Sequence, residues 1–498
     1  MANLINTING YIWATPLIAL VFGGAVVYSI VLKFCNIKNI KLQWKLLKSG
    51  GGSQEGISPF ETFCSVVAYR VAVGNIGGVM VAIMYGGPGA VLWMPITALV
   101  TSAISYAENS LGQVYKVRMD GQYRGGPYFY MANGLKWKSL GKAMALIFAL
   151  FATIGVPFMV TGPSASNIAM AFENSLGVPP IASGIVVGIL LFLVISGGVR
   201  RIASVSTIIV PFMTIGYLLL TAITLIGNAS AVPGAIGTIV SSAFNGSAMF
   251  GGMMGGAFSY GVKRAVNSSG AGFGETPASA AAAETPHPAN QGLVTAFSVY
   301  IDVAVCICSG LMAIVTDCFN VLAPDGSYLH IGQGSPVMAA QAATNTAGVV
   351  WVQEGASTVM PIGGILVAIM LACFAYSTCI AYYYEGEAGL AYLFRNNPAL
   401  RGKLIWGIRI AMPAFFALWA VVDAGTVWAV SEIMFGLMAW FNIISCLLLI
   451  PVVKKVNDDY FAQRKAGIEE PIFNPQKLGI ENADVWMEIN AEKIAQSK

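Results

Sequence analysis

Stretches of about 20 hydrophobic residues recur along almost the whole chain, which is incompatible with an ordinary soluble fold. An α-helix needs about 20 residues to cross a hydrocarbon layer of roughly 30 Å. We therefore predict an all-α polytopic membrane protein with about eleven transmembrane helices. The predicted spans are residues 11–32, 60–84, 88–115, 143–172, 180–199, 203–227, 236–262, 291–316, 360–384, 404–422 and 427–453.

The composition agrees with a membrane as the main solvent. Charged residues make up 10% of the chain, whereas soluble domains carry roughly 25%. The first span is predicted to remain as a helix, because no positive residue precedes it and its apolar run is too long for a signal peptide. Residues 1–455 are predicted to form a single transmembrane domain, and residues 456–498 a polar cytoplasmic tail without a domain.

The positive charges are segregated to one side of the predicted membrane. If the spans alternate in direction, every Lys and Arg except Arg70 and Arg409 falls on the same side, because both of these lie within spans. The positive-inside rule then places the N-terminus outside and the C-terminus in the cytoplasm of a cell membrane. The loops concerned are residues 33–59, 116–142, 200–201, 263–264 and 395–403, together with the tail after residue 453.

Several function classes lack their sequence signals. The 8 cysteines form no C-x-x-C pair and mostly lie in hydrophobic spans, so we predict neither disulfides nor a metal centre. No nucleotide-binding loop and no nucleophile–base set for an enzyme is recognisable, and the string GAGFG from Gly270 lacks the preceding strand that a dinucleotide site needs. We therefore expect no cofactor, no nucleotide and no nucleic-acid partner, with the lipid bilayer as the surrounding phase.

Two glycine clusters interrupt the predicted spans. Residues 73–78 read VGNIGG and residues 251–256 read GGMMGG, five spans apart. Glycine destabilises a helix interior, and matched broken helices are typical of inverted-repeat transporters, where they form the binding site at the membrane midplane. Close packing of helices through small residues is the alternative explanation of the first cluster.

Polar groups inside the spans are further candidates. The adjacent hydroxyls of Ser377 and Thr378 are hard oxygen ligands that suit Na⁺, although such hydroxyls also bond back to their own helix. The two histidines, His287 and His330, lie in predicted loops, which favours Na⁺ over a proton as the coupling ion, while a carboxylate could still carry a proton. The charged candidates within spans are Arg70, Glu108, Asp302 and Glu432, of which the first two could also form a structural pair.

Longer strings along the chain resemble the alanine or glycine:cation symporter family. They include RVAVGNIGGV from Arg70, GGPGAVLWM from Gly86, YRGGPYFY from Tyr123, GVKR from Gly261, HPANQGL from His287 and YEGE from Tyr384. The resemblance implies a leucine-transporter-type 5+5 inverted repeat with an extra N-terminal helix. The first repeat would cover about residues 60–227 and the second about residues 236–453.

The resemblance also implies site residues. Those near the substrate would be Val73, Gly74, Asn75, Gly77, Ser164, Gly251, Gly252, Gly255 and Gly256. Those around sodium would be the carbonyls of Ala68, Val71 and Phe374 with the hydroxyls of Ser377 and Thr378. The substrate carboxylate would meet the first glycine cluster, and the α-ammonium would meet carbonyls of the second.

The chain departs from the family pattern at three places. The usual GLFSNEAG after GVKR is AVNSSGAG from Ala265, which lacks the Asn-Glu pair. Ser164 replaces a usual Gln, and Glu432 replaces a usual Asp.

We expect a secondary active symporter that couples Na⁺ entry to uptake of alanine, glycine or serine. The alternatives are an amino-acid sensor of the same fold, a symporter for a larger neutral amino acid such as glutamine, and proton coupling.

Overall fold

The structure is a computed structural model that describes residues 2–13, 15–49, 56–244, 254–344 and 347–491. The first half is helical apart from one short hairpin. Its elements are α1 (Ala2–Ile12), α2 (Thr15–Val31), α3 (Cys35–Lys38), α4 (Ile40–Leu47), α5 (Pro59–Arg70), α6 (Gly77–Gly86), α7 (Ala90–Val114), β1 (Val117–Met119), β2 (Gln122–Arg124), α8 (Pro127–Gly134), α9 (Lys138–Leu150), α10 (Gly162–Leu176), α11 (Pro180–Ile195) and α12 (Gly198–Gly227). A 3₁₀ turn, Val73–Asn75, precedes α6, and a π-helical segment, Phe151–Val160, joins α9 to α10.

The second half is also helical apart from one short antiparallel hairpin. Its elements are α13 (Val232–Phe244), α14 (Met254–Ser269), α15 (Pro277–Ala281), α16 (Pro288–Val315), β3 (Asn320–Leu322), β4 (Tyr328–Ile331), α17 (Val337–Ala343), α18 (Val349–Ser357), α19 (Gly363–Leu393), α20 (Pro398–Trp419), α21 (Ala424–Leu448), α22 (Ile450–Lys465) and α23 (Val485–Ile489). Strand β1 pairs with β2, and β3 with β4.

Long apolar helices dominate the described chain. By length and composition 7 of its helical segments are able to cross a membrane, and α5 with α6 form one further span that bends by 58°. Helices α11 and α13 are apolar but shorter. The helical membrane architecture predicted from the sequence is therefore confirmed, while the count of about eleven stays a prediction. The 7 segments are Thr7–Val31, Ala90–Val114, Lys138–Leu176, Gly198–Gly227, Pro288–Val315, Gly363–Leu393 and Ala424–Leu448.

Helix α7 lies at the centre of the packing that positions the site. It runs along α16 and contacts α14 and α2. Its second half is buried on all sides, including the polar side chains of Ser105, Glu108 and Asn109. Because this half of α7 does not face lipid, its polar side chains can form hydrogen bonds with other protein groups at membrane depth.

The start of α5 is set by its local sequence. The Ser58 hydroxyl accepts a hydrogen bond from the Glu61 backbone N–H at 3.2 Å, and the Glu61 carboxylate accepts one from the Ser58 N–H at 2.8 Å. Pro59 occupies the first helical position, where no backbone N–H is needed. This capping box anchors the helix that ends at the first break.

The tail after α22 packs against the membrane domain. The Trp486 indole N–H donates to the Gln113 carbonyl at 3.0 Å, and the Phe473 N–H donates to the Pro286 carbonyl at 3.1 Å. Both rings are fully buried. Lys116 is covered by the Trp486 ring at 4.5 Å, and burial lowers the pKa of this ammonium group to about 7. The described tail residues thus form a cover over the ends of α7 and α16.

Candidate functional site

The first break lies between α5 and α6. Helix α5 ends at Arg70, and α6 begins at Gly77 after the 3₁₀ turn. Asn75 replaces one lost backbone hydrogen bond, because its Oδ1 accepts from the Ala72 N–H at 2.9 Å. Its Nδ2 donates to the Asp302 carboxylate at 2.6 Å. The interruption predicted from residues 73–78 is confirmed.

The second break lies after α14, at residues 270–276. Helix α14 ends at Ser269, and Gly270, Gly272 and Gly274 follow with φ values of 57°, 90° and 82°. Side chains other than glycine rarely adopt such backbone angles, so the alternating glycines end the helix. The short helix α15 then continues the chain.

The predicted interruption at residues 251–256 lies partly outside the described residues, and its part from Met254 to Gly256 is helical. Gly251 and Gly252 lie outside the described residues. Gly255 and Gly256 belong to α14, and Gly256 lies beside Tyr85 and Gly86 at the far end of α6, away from the break. The GxGxG string at Gly270 is the sequence signal for this break.

Two charged candidates stabilise the backbone of the second break. The Arg70 guanidinium donates to the Ser269 carbonyl and, at 2.7 Å, to the Ser105 hydroxyl. One carboxylate oxygen of Glu108 accepts from the Gly272 and Gly274 N–H groups, each at 3.2 Å. A cation therefore caps the negative end of α14, while an anion binds the freed N–H groups that follow it. Arg70 and Glu108 act on the same loop from opposite ends.

The other two charged candidates lie apart from each other. The Asp302 carboxylate of α16 accepts from Asn75 and, at 2.7 Å, from the Ser268 hydroxyl, so it connects both breaks. Glu432 of α21 is partly exposed and accepts from Asn9 of α1 at 2.7 Å. The structure therefore brings Arg70, Glu108 and Asp302 together around the breaks and leaves Glu432 on the wall of a separate cavity.

A narrow cavity of ≈ 40 Å³ lies where the breaks meet. Two charged residues, Arg264 and Glu275, line it in addition to Arg70. Of the predicted substrate residues, the structure places Val73, Gly74, Asn75 and Ser164 in the lining of this narrow cavity, whereas Gly77 and Gly256 are not part of it.

A wide cavity of ≈ 550 Å³ adjoins the narrow one. Its size lies within the range of roughly 300–1,000 Å³ that is usual for ligand sites. The two cavities share the lining residues Arg264, Asn267 and Trp428. The remaining wall of the wide cavity includes Gly78, Tyr85, Gly348, Asp423 and Glu432.

Arg264 and Glu275 were missed at the sequence level. Residues 263–264 are predicted to lie in a loop after the span 236–262, but the structure has both inside α14. The small buried residues Ala257, Gly261 and Ala265 recur every four positions, a pattern that is typical of a tightly packed helix continuing through this segment. That spacing was the available signal for Arg264.

Oxygen atoms from α5 and α19 cluster next to the first break. The Thr378 hydroxyl donates to the Ala68 carbonyl at 2.7 Å and to the Phe374 carbonyl at 2.9 Å. The Ser377 hydroxyl donates to the Phe374 carbonyl at 2.9 Å, and Val71 is buried at the end of α5. The hydroxyls do bond back to their own helix, as the alternative explanation held, but Thr378 also reaches α5. In the described ranges no group of three or more His, Cys, Asp or Glu side chains is arranged to hold a metal ion.

Comparison with known proteins agrees with this geometry. The profile of the sodium:alanine symporter family matches residues 1–475. The chain belongs to the sodium:alanine symporter family. It is 39% identical to the putative sodium/proton-dependent alanine carrier protein YrbD of Bacillus subtilis, with 98% of each chain covered. It is 34% identical to the sodium/alanine symporter AgcS of Methanococcus maripaludis, with 91% of this chain and 95% of AgcS covered.

Further similarities concern substrate range and fold. The chain is 31% identical to the probable sodium/glutamine symporter GlnT of Bacillus subtilis, with 98% of this chain and 96% of GlnT covered. The structure of MhsT in complex with L-phenylalanine matches with a TM-score of 0.52 at 14% identity, over 88% of this chain and 99% of that one. This match shows the fold of leucine-transporter-type carriers. As a sodium:alanine symporter family member the protein is a multi-pass membrane protein and a cation-coupled amino-acid symporter, and its family is one of transporters rather than enzymes.

We predict that Glu108→Gln lowers the thermal stability of this family member. The change replaces charge-assisted hydrogen bonds to Gly272 and Gly274 with neutral ones, which are about half as strong. The unfolding temperature in detergent should fall by several degrees. Glu432→Gln, which removes a partly exposed carboxylate, is the control and should change it little. Equal unfolding temperatures for the two variants would contradict the assigned role of Glu108.

Proposed function

We propose that the protein is a secondary active symporter that couples inward Na⁺ movement to uptake of a small neutral amino acid by alternating access. The observation that carries the proposal is the pair of helix breaks meeting at one narrow cavity, with an oxygen cluster beside the first break. Broken helices of this kind present backbone N–H and C=O groups to a substrate and its coupling ion. Alanine, glycine and serine are the proposed substrates.

The charges of the narrow cavity favour a zwitterion. Arg70 is engaged by Ser269 and Ser105, which leaves one basic and one acidic side chain, Arg264 and Glu275, in the lining. A neutral amino acid carries the complementary pair of charges, whereas glutamate or lysine adds a third that has no partner there. Ser164 is buried in the same wall and replaces a longer amide, which leaves room for a hydroxyl or a modestly larger side chain. Glutamine is therefore the second candidate, in line with the name of GlnT.

The proposed sodium site consists of the carbonyls of Ala68, Val71 and Phe374 and the hydroxyls of Ser377 and Thr378. Oxygen ligands without formal charge suit Na⁺, and rotation of the two hydroxyls would turn their lone pairs toward an ion. Because Ala68 belongs to α5, ion binding would fix the helix that leads into the first break. Proton coupling is the alternative, favoured by the buried carboxylate of Glu275 and by the name of YrbD.

We also propose the 5+5 inverted-repeat arrangement, with repeats at about residues 60–227 and 236–453 and an extra N-terminal helix. The breaks at residues 71–76 and 270–276 fall one in each proposed repeat, as this arrangement requires. The N-terminus is proposed to be outside and the C-terminus cytoplasmic, because the Lys and Arg residues of the loops collect on one side.

The first experiment tests transport and substrate together. Protein reconstituted in sealed vesicles should accumulate radiolabelled alanine when an inward sodium gradient is imposed, and glycine and serine should compete. Glutamate and lysine should not compete, because their extra charge has no partner in the narrow cavity where the breaks meet. A sensor of the same fold would bind alanine without accumulating it. Inhibition by glutamate or lysine with none by glycine or serine would refute the neutral substrate, and strong inhibition by glutamine would favour the second candidate.

The second experiment tests the sodium site. Ser377→Ala and Thr378→Ala each remove an oxygen ligand, so the sodium concentration for half-maximal uptake should rise about tenfold, which corresponds to about 1.4 kcal/mol. Ser445→Ala, which removes a hydroxyl bonded to its own helix in α21, is the matched control and should leave sodium dependence unchanged. If both site variants retain wild-type sodium dependence, the cation binds elsewhere.

The third experiment tests orientation. In a variant without native cysteines, the exposed positions Ser230→Cys and Asp325→Cys should react with an impermeant thiol reagent in whole cells. The exposed positions Ser49→Cys and Ala466→Cys should react only after the membrane is opened. Labelling of the opposite pair would reverse the proposed orientation.

A further inference from the structure

Arg264 lies at the boundary between the narrow and the wide cavity. It projects from α14 toward the first break and is partly exposed to both cavities. Its guanidinium occupies the space above Gly74 and Gly78, where a Cβ atom on either residue would overlap the guanidinium nitrogens. The glycines of the first break therefore serve a second purpose beyond ending the helix. They make room for a planar cation at the breaks.

Among the described residues this cation has no hydrogen-bonded or ion-paired partner. In the described part of the chain no carboxylate lies within 4.0 Å of the Arg264 guanidinium, and none of the hydrogen bonds there involves it. Its Nε–H is fully buried and unsatisfied. The other arginines near the membrane interior differ, since Arg70 binds a carbonyl and a hydroxyl and Arg124 binds Glu387 at 3.0 Å. A guanidinium at membrane depth is energetically costly unless an anion pairs with it.

We propose that Arg264 binds the carboxylate of the transported amino acid, an inference that rests on the proposed function. The planar fork of guanidinium donors matches a carboxylate with two parallel hydrogen bonds. A substrate in the wide cavity reaches the guanidinium directly, and the N–H groups near Gly74 lie on the neighbouring wall of the narrow cavity. Arg264 then selects for a free carboxylate, and the cavity beyond it selects for the side chain.

A purely structural role for Arg264 is the competing explanation. Asp302 and Glu432 exert long-range attraction on the guanidinium without contacting it. If that attraction were the role of Arg264, replacing this residue would alter the stability of the protein and weaken the binding of every ligand to the same extent. Carboxylate recognition instead affects only ligands that carry a carboxylate, so the two roles separate when L-alanine is compared with L-alaninamide.

The experiment measures displacement of radiolabelled L-alanine from the purified full-length protein in sodium. Wild type should bind L-alanine much more tightly than L-alaninamide. Arg264→Gln should weaken the binding of L-alanine about 10- to 100-fold, the usual range for a lost charged hydrogen-bond pair. The affinity for L-alaninamide should stay nearly unchanged. Arg264→Lys should retain part of the affinity. Lys142→Gln is the matched control, because it removes an exposed ammonium of α9 that lines neither cavity.

A double-mutant cycle keeps the test independent of folding defects in Arg264 variants. Gly78→Ala displaces only the flexible end of Arg264, so it should weaken L-alanine in the wild-type background and have little further effect in Arg264→Gln. Equal effects in both backgrounds, or equal weakening of L-alanine and L-alaninamide by Arg264→Gln, would overturn the inference. A wild-type protein that binds no amino acid in sodium would instead refute the proposed function itself.

Discussion

Backbone groups freed inside the membrane are the constraint on which the rest of this structure depends. A peptide group without a partner is very costly in hydrocarbon, so a broken transmembrane helix exists only where the protein supplies replacement hydrogen bonds. Here Arg70 and Glu108 supply them from α5 and α7 to the loop between α14 and α15. The buried polar face of α7 and its packing along α16 follow from this need, because both partners must themselves be shielded from lipid.

Further hydrogen bonds connect the two breaks into one unit. Asp302 of α16 accepts from Asn75 at the first break and from Ser268 just before the second. The Ala68 carbonyl, within the last turn of α5, accepts from Thr378 of α19. Movement of α5 therefore changes the oxygen cluster, the first break and, through Arg70, the second break together. On the proposed assignment this is the physical basis for linking an ion at Thr378 to a substrate at Asn75.

Much of this arrangement could be predicted from the sequence, and the failures have physical causes. Residues 73–78 were a reliable signal because glycines and an amide occur together where only apolar residues are expected. Of the denser glycine cluster at residues 251–256, the described residues Gly255 and Gly256 belong to a helix. Three alternating glycines with positive φ make the real break at 270–276. Arg264 falls in a predicted loop, but the structure has it inside α14 beside a cavity, and cavities cannot be seen in a pattern along one chain.

The position of Arg264 also bears on how ion and substrate movement stay coupled. The wall of the wide cavity includes Tyr85, Gly348 and Asp423, which belong to loops predicted on the outer side, so in the proposed orientation the guanidinium faces incoming substrate. With Na⁺ bound and no amino acid, closing the cavity would enclose the ion together with an unpaired guanidinium, which costs several kcal/mol per buried charge. A bound carboxylate neutralises the guanidinium, and the empty carrier lacks the ion. The sodium-only state is therefore the least able to close, which is the state whose closure would dissipate the gradient.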